Sequence, residues 1–253
     1  MRRRFFVDKF EDGRAEIRGD DAHHLARVLR AAPGQLYELS DGVALWLARI
    51  ETASRDGVQF ALVEQLPAAV PKLRIALLLS IVKFDSFEWA LEKATELGVS
   101  EIVPLAAARS EKSLVAAAAK RSARWQKILV ESAQQSRRLR PPALHAVERP
   151  ATAFTAAFLG SLFAPTSLLE PSLPLKLFLS EFANAPPLRA VLDPNPRSSC
   201  YILAVGPEGG WTEPERDAAM AGGFAEATLG SLSLRTETAV TAALASLNYA
   251  LGG

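Results

Sequence analysis

A small β barrel or sandwich followed by a larger parallel α/β domain is predicted for this 253-residue chain, and three observations predict it. Short β-like runs separated by turn signals fill the N-terminal quarter. A proline-punctuated connection, Pro67 to Pro71, then marks a change of pattern, so the boundary is placed there, with residues 1–70 as one domain and 71–253 as the other. Beyond it, apolar runs of strand length alternate with helical patterns, as in a sheet whose strands are joined by helices.

In the first part the expected strands are Phe5 to Val7, Ala15 to Ile17, Gln35 to Leu39, Val43 to Ile50 and Val58 to Val63. Ser40-Asp41-Gly42 and Arg55-Asp56-Gly57 are turn signals between such runs. Asp20 or Asp21 is placed to cap one short helix, AHHLARVLR, which stops at Pro33-Gly34. Arg2, Arg3, Arg4, Arg14, Arg18, Arg27 and Arg30 accompany Phe5 and Phe6. Arginine beside aromatic rings suits phosphate contact and base stacking on RNA, although the phenylalanines read better as core.

The second part begins with Leu73 to Val82, a continuous apolar run of the kind buried on both faces of a sheet. SFEWALEKATELGV follows, with Phe87, Leu91, Ala94, Thr95 and Leu97 on one helical stripe and Gly98 as the stop. Glu101 to Leu105 is the next strand, giving a β-α-β unit. Further expected elements are a basic helix over 120–138, a strand over Ala143 to Val147, a helix over Ala151 to Phe163, a loop over Thr166 to Pro174, and a strand over Leu175 to Leu179. An irregular segment carrying Asp193-Pro194-Asn195-Pro196 precedes the last third of the domain.

The C-terminal stretch carries the most information. Tyr201 to Val205 reads as a buried strand that stops at Gly206-Pro207-Glu208-Gly209-Gly210. Thr212 and Glu215 form a capping box for the next helix, Pro214 fits its first turn, and Gly222-Gly223 end it. A second strand, Phe224 to Leu229, runs into Gly230-Ser231-Leu232-Ser233-Leu234-Arg235, after which Thr236 is placed to cap an alanine-rich closing helix. Two glycine-bearing loops thus follow two strands. Ligands of α/β sheets bind at the carboxyl ends of strands, so the loops after Leu179, Val205 and Leu229 are the candidate site. Spacing alone leaves the first loop open between a tight turn and a ligand floor. A G-x-G-x-x-G after the first strand and a G-x-x-x-x-G-K-[ST] motif are both missing, which argues against an ordinary dinucleotide site and a P-loop.

Composition narrows the partners. The 29 basic and 28 acidic side chains nearly cancel, so a polyanion would have to be met by a local patch. The single cysteine, Cys200, excludes an intramolecular disulfide, and three histidines give no zinc spacing. No apolar run reaches membrane-spanning length. These features predict a cytoplasmic protein without metal or membrane attachment.

Gly206-Pro207-Glu208-Gly209-Gly210, followed by Leu229-Gly230 and then Leu234-Arg235-x-Glu237-Thr238-Ala239, resembles the signature of the SPOUT methyltransferases, and specifically the bacterial ribosomal RNA uridine-N3 methyltransferases. Lys83, Glu88 and Lys93 to Val99, then Gln135-Ser136 with Arg138 and Pro142, then Arg3, Arg4, Phe5, His24 and Val28-Leu29-Arg30 extend the resemblance over most of the chain. It implies a PUA-like β barrel for RNA, a trefoil-knotted methyltransferase domain, a homodimer, and S-adenosylmethionine as cofactor. The substrate implied is small-subunit (16S) ribosomal RNA, free or in the assembled 30S subunit, with methylation at N3 of a uridine.

The same resemblance assigns Leu179, Val205, Gly206, Gly209, Gly210, Leu229, Gly230, Ser231, Leu232 and Leu234 to the cofactor, and Arg3, Arg4, His24 and Arg30 to RNA, while Arg137, which departs from the family pattern, is placed to take over an RNA contact that the missing arginine would make. Arg138 and Arg235 would bind phosphate or stabilise charge on the uracil oxygens, and Glu208 or Glu237 would accept the proton, each being equally open to a structural role: Glu208 by satisfying loop amides, and Glu237, for which that role is favoured, in the first turn of a helix. The chain departs from the family pattern at Leu232 and Ser233, where arginine and isoleucine are common, and at Arg137, where glycine is frequent. The competing readings are a SPOUT ribose 2′-O methyltransferase and a non-catalytic RNA-binding ribosome-assembly protein.

Overall fold

The N-terminal β-like runs pair into one five-stranded sheet. In the computed structural model these are β1 (Arg4–Phe6), β2 (Arg14–Arg18), β3 (Leu36–Ser40), β4 (Leu45–Ala53) and β5 (Gly57–Leu66), in the order β1-β3-β4-β5-β2. β1 runs parallel to β3 and the remaining pairs are antiparallel. Register shifts between Leu47 and Ala48 and between Ile50 and Thr52 bend the long β4-β5 ladder, as bulges do, and curl the sheet round its core. Alternation decides which side faces in: Ala15 and Ile17 are buried in β2 while Arg14, Glu16 and Arg18 are exposed. Phe5, Leu25, Leu39, Ile50 and Phe60 fill the interior.

The structure describes residues 3–54, 56–68, 71–163, 173–182, 184–193 and 198–251. Arg2, Arg55, part of the Pro67 to Pro71 connection, most of the expected loop at Thr166 to Pro174, and Pro194 to Pro196 lie outside them. The chain divides into two compact units, 1–70 with 130–141, and 71–129 with 142–253.

The helix of the first unit differs from expectation. It is a short α1 (Gly19–His23) that widens into π-helical winding over His24–Val28, where the Leu29 amide bonds the His24 carbonyl. Arg18, and neither aspartate, takes the capping position without a side-chain bond. Asp20 and Asp21 sit in the first turn instead, where the helix dipole favours negative charge. Arg30, at φ 51°, turns the chain out of the helix ahead of Pro33.

Beyond β5 the chain alternates strand and helix, with α6 lying in the segment expected to be irregular: β6 (Arg74–Ser80), α2 (Phe84–Glu96), β7 (Val99–Leu105), α3 (Lys112–Gln135), β8 (Ala143–Leu144), α4 (Pro150–Ala153), α5 (Ala156–Ser161), β9 (Leu175–Leu179), α6 (Leu188–Leu192), β10 (Cys200–Val205), α7 (Glu213–Ala221), β11 (Ala225–Ala227) and α8 (Thr236–Leu251). These six strands lie in the order β11-β9-β10-β6-β7-β8 and every adjacent pair is parallel.

Both faces of the sheet are covered, which is why β6 and β10 read as unbroken apolar runs. Ile75, Leu77, Leu79, Tyr201, Leu203 and Val205 pack with residues of α2, α3, α6 and α8. Ala76, Leu78, Ile202, Ala204 and Phe178 pack on the other side with Phe154, Trp211 and Ala219. Trp125 of α3 is 1% exposed and lies 4.6 Å from the Phe87 ring, anchoring α3 to α2.

Several boundaries moved. α3 starts at Lys112 because Ala116 to Ala119 are strong helix formers. The helix expected over Ala151 to Phe163 is two, since buried Phe154 ends the first and Thr155 caps the second, accepting from the Phe158 amide at 3.3 Å. The strand expected over Ala143 to Val147 keeps only its first two residues in the ladder.

Candidate functional site

β9, β10 and β11 are neighbours in the sheet, so the loops at their carboxyl ends converge. They enclose a cavity of about 660 Å³, within the ordinary range for small-molecule sites. Leu179, Val205, Gly206, Gly209, Gly210, Leu229, Gly230, Ser231, Leu232 and Leu234 all line it, as does exposed Glu208.

The floor is built on Trp211, a residue the sequence did not single out. It is 5% exposed, its indole N–H donates to the Leu179 carbonyl at 2.9 Å, and its ring stacks on Phe178 with centroids 4.9 Å apart. This one side chain ties the end of β9 to the loop after β10. It also explains Gly206, because a Cβ there would lie 2.9 Å from the indole nitrogen. The Gly210 amide bonds the Pro207 carbonyl at 2.8 Å and Gly210 adopts φ 71°, which closes the turn before α7.

The predicted capping box is formed, and it reaches further than the helix. One Glu215 carboxylate oxygen accepts from the Thr212 amide at 2.9 Å, while the other accepts from the Ala108 amide at 2.7 Å. The loop after β7 is thereby fixed beside the glycine loop. Its Arg109 lines the cavity and donates to the Gly209 carbonyl at 2.7 Å.

The opposite wall comes from the segment after β9. The Ser180 amide bonds the Ala227 carbonyl, and the Leu188 amide and the Pro186 carbonyl both bond Thr228, so this segment wraps the end of β11. Arg216 grips Glu226 through two hydrogen bonds, at 3.0 and 2.8 Å, and its guanidinium stacks over the Phe182 ring. That pairing, with a further hydrogen bond from Ser180, holds the Glu226 carboxyl below the usual carboxylate range despite partial burial.

α8 starts differently from expectation: the Thr236 hydroxyl donates to the Gly206 carbonyl at 3.1 Å and so links the two glycine loops. Glu237 lies in the first turn of α8 and accepts from the Ser86 hydroxyl at 3.2 Å. Arg235 is exposed and is not among the lining residues.

Arg3, Arg4, His24, Arg30, Arg137 and Arg138 belong to the first unit. Arg3, His24 and Arg30 are exposed. Arg4, expected from the sequence to contact RNA, is engaged within the unit. It is 9% exposed, and it donates to the carboxylate of buried Glu38 at 3.2 and 2.9 Å. Arg137 pairs with the other oxygen of Glu38, and its carbonyl accepts from Arg4. A buried carboxylate requires such partners, so both guanidinium groups are held in the structure of the unit. Arg137 also has φ 59°, a backbone region that suits the glycine of the family pattern. Burial, aided by the nearby Arg140 charge, pushes Arg138 down to about 10.

Among the described residues, no helix is long and apolar enough to cross a membrane, and no three His, Cys, Asp or Glu side chains cluster as for a metal ion.

Residues 69–248 match the model of an RNA methyltransferase domain. The chain belongs to this RNA methyltransferase family. Residues 17–63 match the PUA domain of RNA methyltransferases. The chain is 32% identical over 231 residues to ribosomal RNA small subunit methyltransferase E of Synechocystis, covering 90% of this chain and 71% of that protein. It is 28% identical to the Bacillus subtilis protein of the same name, with 92% and 89% covered. Among solved structures, that of ribosomal RNA small subunit methyltransferase E from Neisseria gonorrhoeae bound to S-adenosylmethionine superposes with a TM-score of 0.84 at 30% identity, covering 99% and 98% of the two chains. A Legionella pneumophila methyltransferase in complex with the same cofactor superposes with a TM-score of 0.81 at 25% identity, again covering 99% and 98%.

This RNA methyltransferase therefore has a PUA-like β barrel followed by a trefoil-knotted, parallel-sheet catalytic domain. Among the described residues, its cavity combines apolar side chains with main-chain polar groups and one cation, Arg109, beside two carboxylates, Glu181 and Glu208.

Proposed function

We propose that this RNA methyltransferase transfers a methyl group from S-adenosylmethionine to N3 of a uridine in small-subunit (16S) ribosomal RNA. The carrying observation is the cavity at the ends of β9, β10 and β11, in a chain similar over nearly its whole length to a small-subunit methyltransferase with bound cofactor. The residues present fit that cofactor. Leu229 and Leu234 offer apolar surface to the adenine ring, and main-chain groups of the glycine loops offer donors and acceptors to its edge. S-adenosylmethionine carries two positive groups, the sulfonium and the ammonium, and one carboxylate, which two glutamates and one arginine complement. When bound, it supplies an electrophilic methyl on sulfur.

The residues of the chain have the remaining tasks. N3–H of uracil is weakly acidic and paired in a helix, so the base must be exposed and held in line with the methyl. Arg138 and Arg235 are assigned to phosphate or to the negative charge developing on the uracil oxygens. Glu208, exposed at the cavity, is the carboxylate assigned to the N3 proton. Arg3, His24 and Arg30 are assigned to RNA contact on the barrel, and the active species is assigned as a homodimer.

The test uses labelled S-adenosylmethionine and small subunits from methyl-deficient cells. Label should enter 16S RNA, and reverse transcription should stop at one uridine, because N3 methylation blocks the Watson–Crick edge. Label without a stop would assign ribose methylation instead, and cofactor binding without transfer would assign a non-catalytic role.

A further inference from the structure

The mouth of the cavity carries a preformed cationic group, Arg109, for which neither glycine loop accounts. Its loop is fixed at both ends: the Ala108 amide is bonded to Glu215, itself part of the α7 capping box, and the Ser110 amide bonds the Ala107 carbonyl at 3.0 Å. The stem lies along the glycine loop, since a Cβ on Gly209 would be 3.3 Å from Arg109 Cβ and 3.4 Å from its Cδ. One guanidinium nitrogen donates to the Gly209 carbonyl at 2.7 Å. A guanidinium has five N–H donors in a planar fork, so holding one nitrogen on a carbonyl fixes the plane in which the others present themselves. Arg109 is the one cation among the described residues lining the cavity, where it stands with Glu181 and Glu208.

We propose that Arg109 is the oxyanion-binding residue of this pocket, engaging either the carboxylate of the cofactor or a phosphate of the RNA strand delivered to it. Both ligands present paired oxygens to a planar fork, and both rest on the methyltransferase reading above. Arg109 acts by positioning. Its stem keeps the Gly209 main chain in place, and its charge sets where the anionic end of the ligand lies relative to the reacting methyl.

Arg109→Met, which keeps the stem against Gly209 and removes the charge, is the main variant, with Arg109→Lys as the charge-conserving partner. Thermal unfolding of each checks the fold. Calorimetry is run with S-adenosylmethionine and with its decarboxylated analogue, and RNA binding is measured against salt with unmethylated small-subunit RNA. If the oxyanion is the cofactor carboxylate, Arg109→Met weakens S-adenosylmethionine binding about tenfold, leaves the analogue unchanged, and Arg109→Lys recovers part of the loss. If it is an RNA phosphate, cofactor affinity stays constant, RNA affinity falls, and the salt slope drops by about one. Unchanged affinity for both ligands in a folded Arg109→Met overturns the proposal. A wild-type protein that binds cofactor without methylating small-subunit RNA overturns the proposed function and leaves the calorimetric result standing. One that binds neither ligand overturns both.

Discussion

Gly206→Ala is expected to destabilise the catalytic unit by about 3 kcal/mol, through overpacking of about 1–3 kcal/mol and a lost hydrogen bond of about 1 kcal/mol. The new Cβ would sit 2.9 Å from Trp211 Nε1, 3.0 Å from Cε2 and 3.3 Å from Cδ1. The indole has nowhere to go. It is stacked on Phe178, edge-on to Phe154 at 5.9 Å, and hydrogen-bonded to the Leu179 carbonyl. Moving it breaks that bond and leaves a buried carbonyl at the floor of the cavity, so cofactor affinity should fall together with stability. Urea unfolding of Gly206→Ala, Trp211→Phe and the double variant measures the effect. A phenyl ring is smaller and is not tied to the Leu179 carbonyl, so it can shift away from the new methyl, and in the Trp211→Phe background the same substitution should cost less than half as much. An unchanged stability in Gly206→Ala, or an equal cost in both backgrounds, would refute the steric account.

Glu38→Ala should cost about 3–5 kcal/mol, because it strands the buried Arg4 guanidinium and frees Arg137; unchanged stability in urea unfolding would refute the pairing as a structural one. Glu226 is held below its ordinary value of 4.5, so its contribution to stability is complete above that pH and is lost as pH falls through the folded value. Glu226→Gln should flatten the acid-induced loss below pH 4.5, and an acid-unfolding profile identical to the wild type would contradict the Arg216 pairing as its source. Arg138→Ala should reduce methyl transfer far more than cofactor affinity, and equal losses in turnover and calorimetry would remove it from the reaction.

Local chemistry explains how much of this could be read in advance. Burial on both faces leaves strands such as β6 and β10 without polar interruption, so they are visible in the sequence. The capping box at Thr212 and Glu215 is equally local, and it forms. The glycine loops after β10 and β11 could be placed at strand ends by the same reasoning, and with Leu179 they line one cavity. The two-helix break at Phe154 and Thr155 was hidden, because it depends on Phe154 being pulled into the sheet core.

The sequence by itself determined most of the strands, the capping box before α7 and the loops on which a site could be built, because each rests on periodicity or on residues adjacent in the chain; the grouping of 130–141 with 1–70 was not legible there. Tertiary structure decided which distant side chains complete them. Arg109 meets Gly209 across 100 positions, Arg4 meets Glu38 across 34, and Trp211 reaches back across 32 to Leu179. No spacing rule announces such pairs. They arise because a parallel sheet brings the ends of non-consecutive strands together, and because buried charges and amides must find partners wherever the fold delivers them.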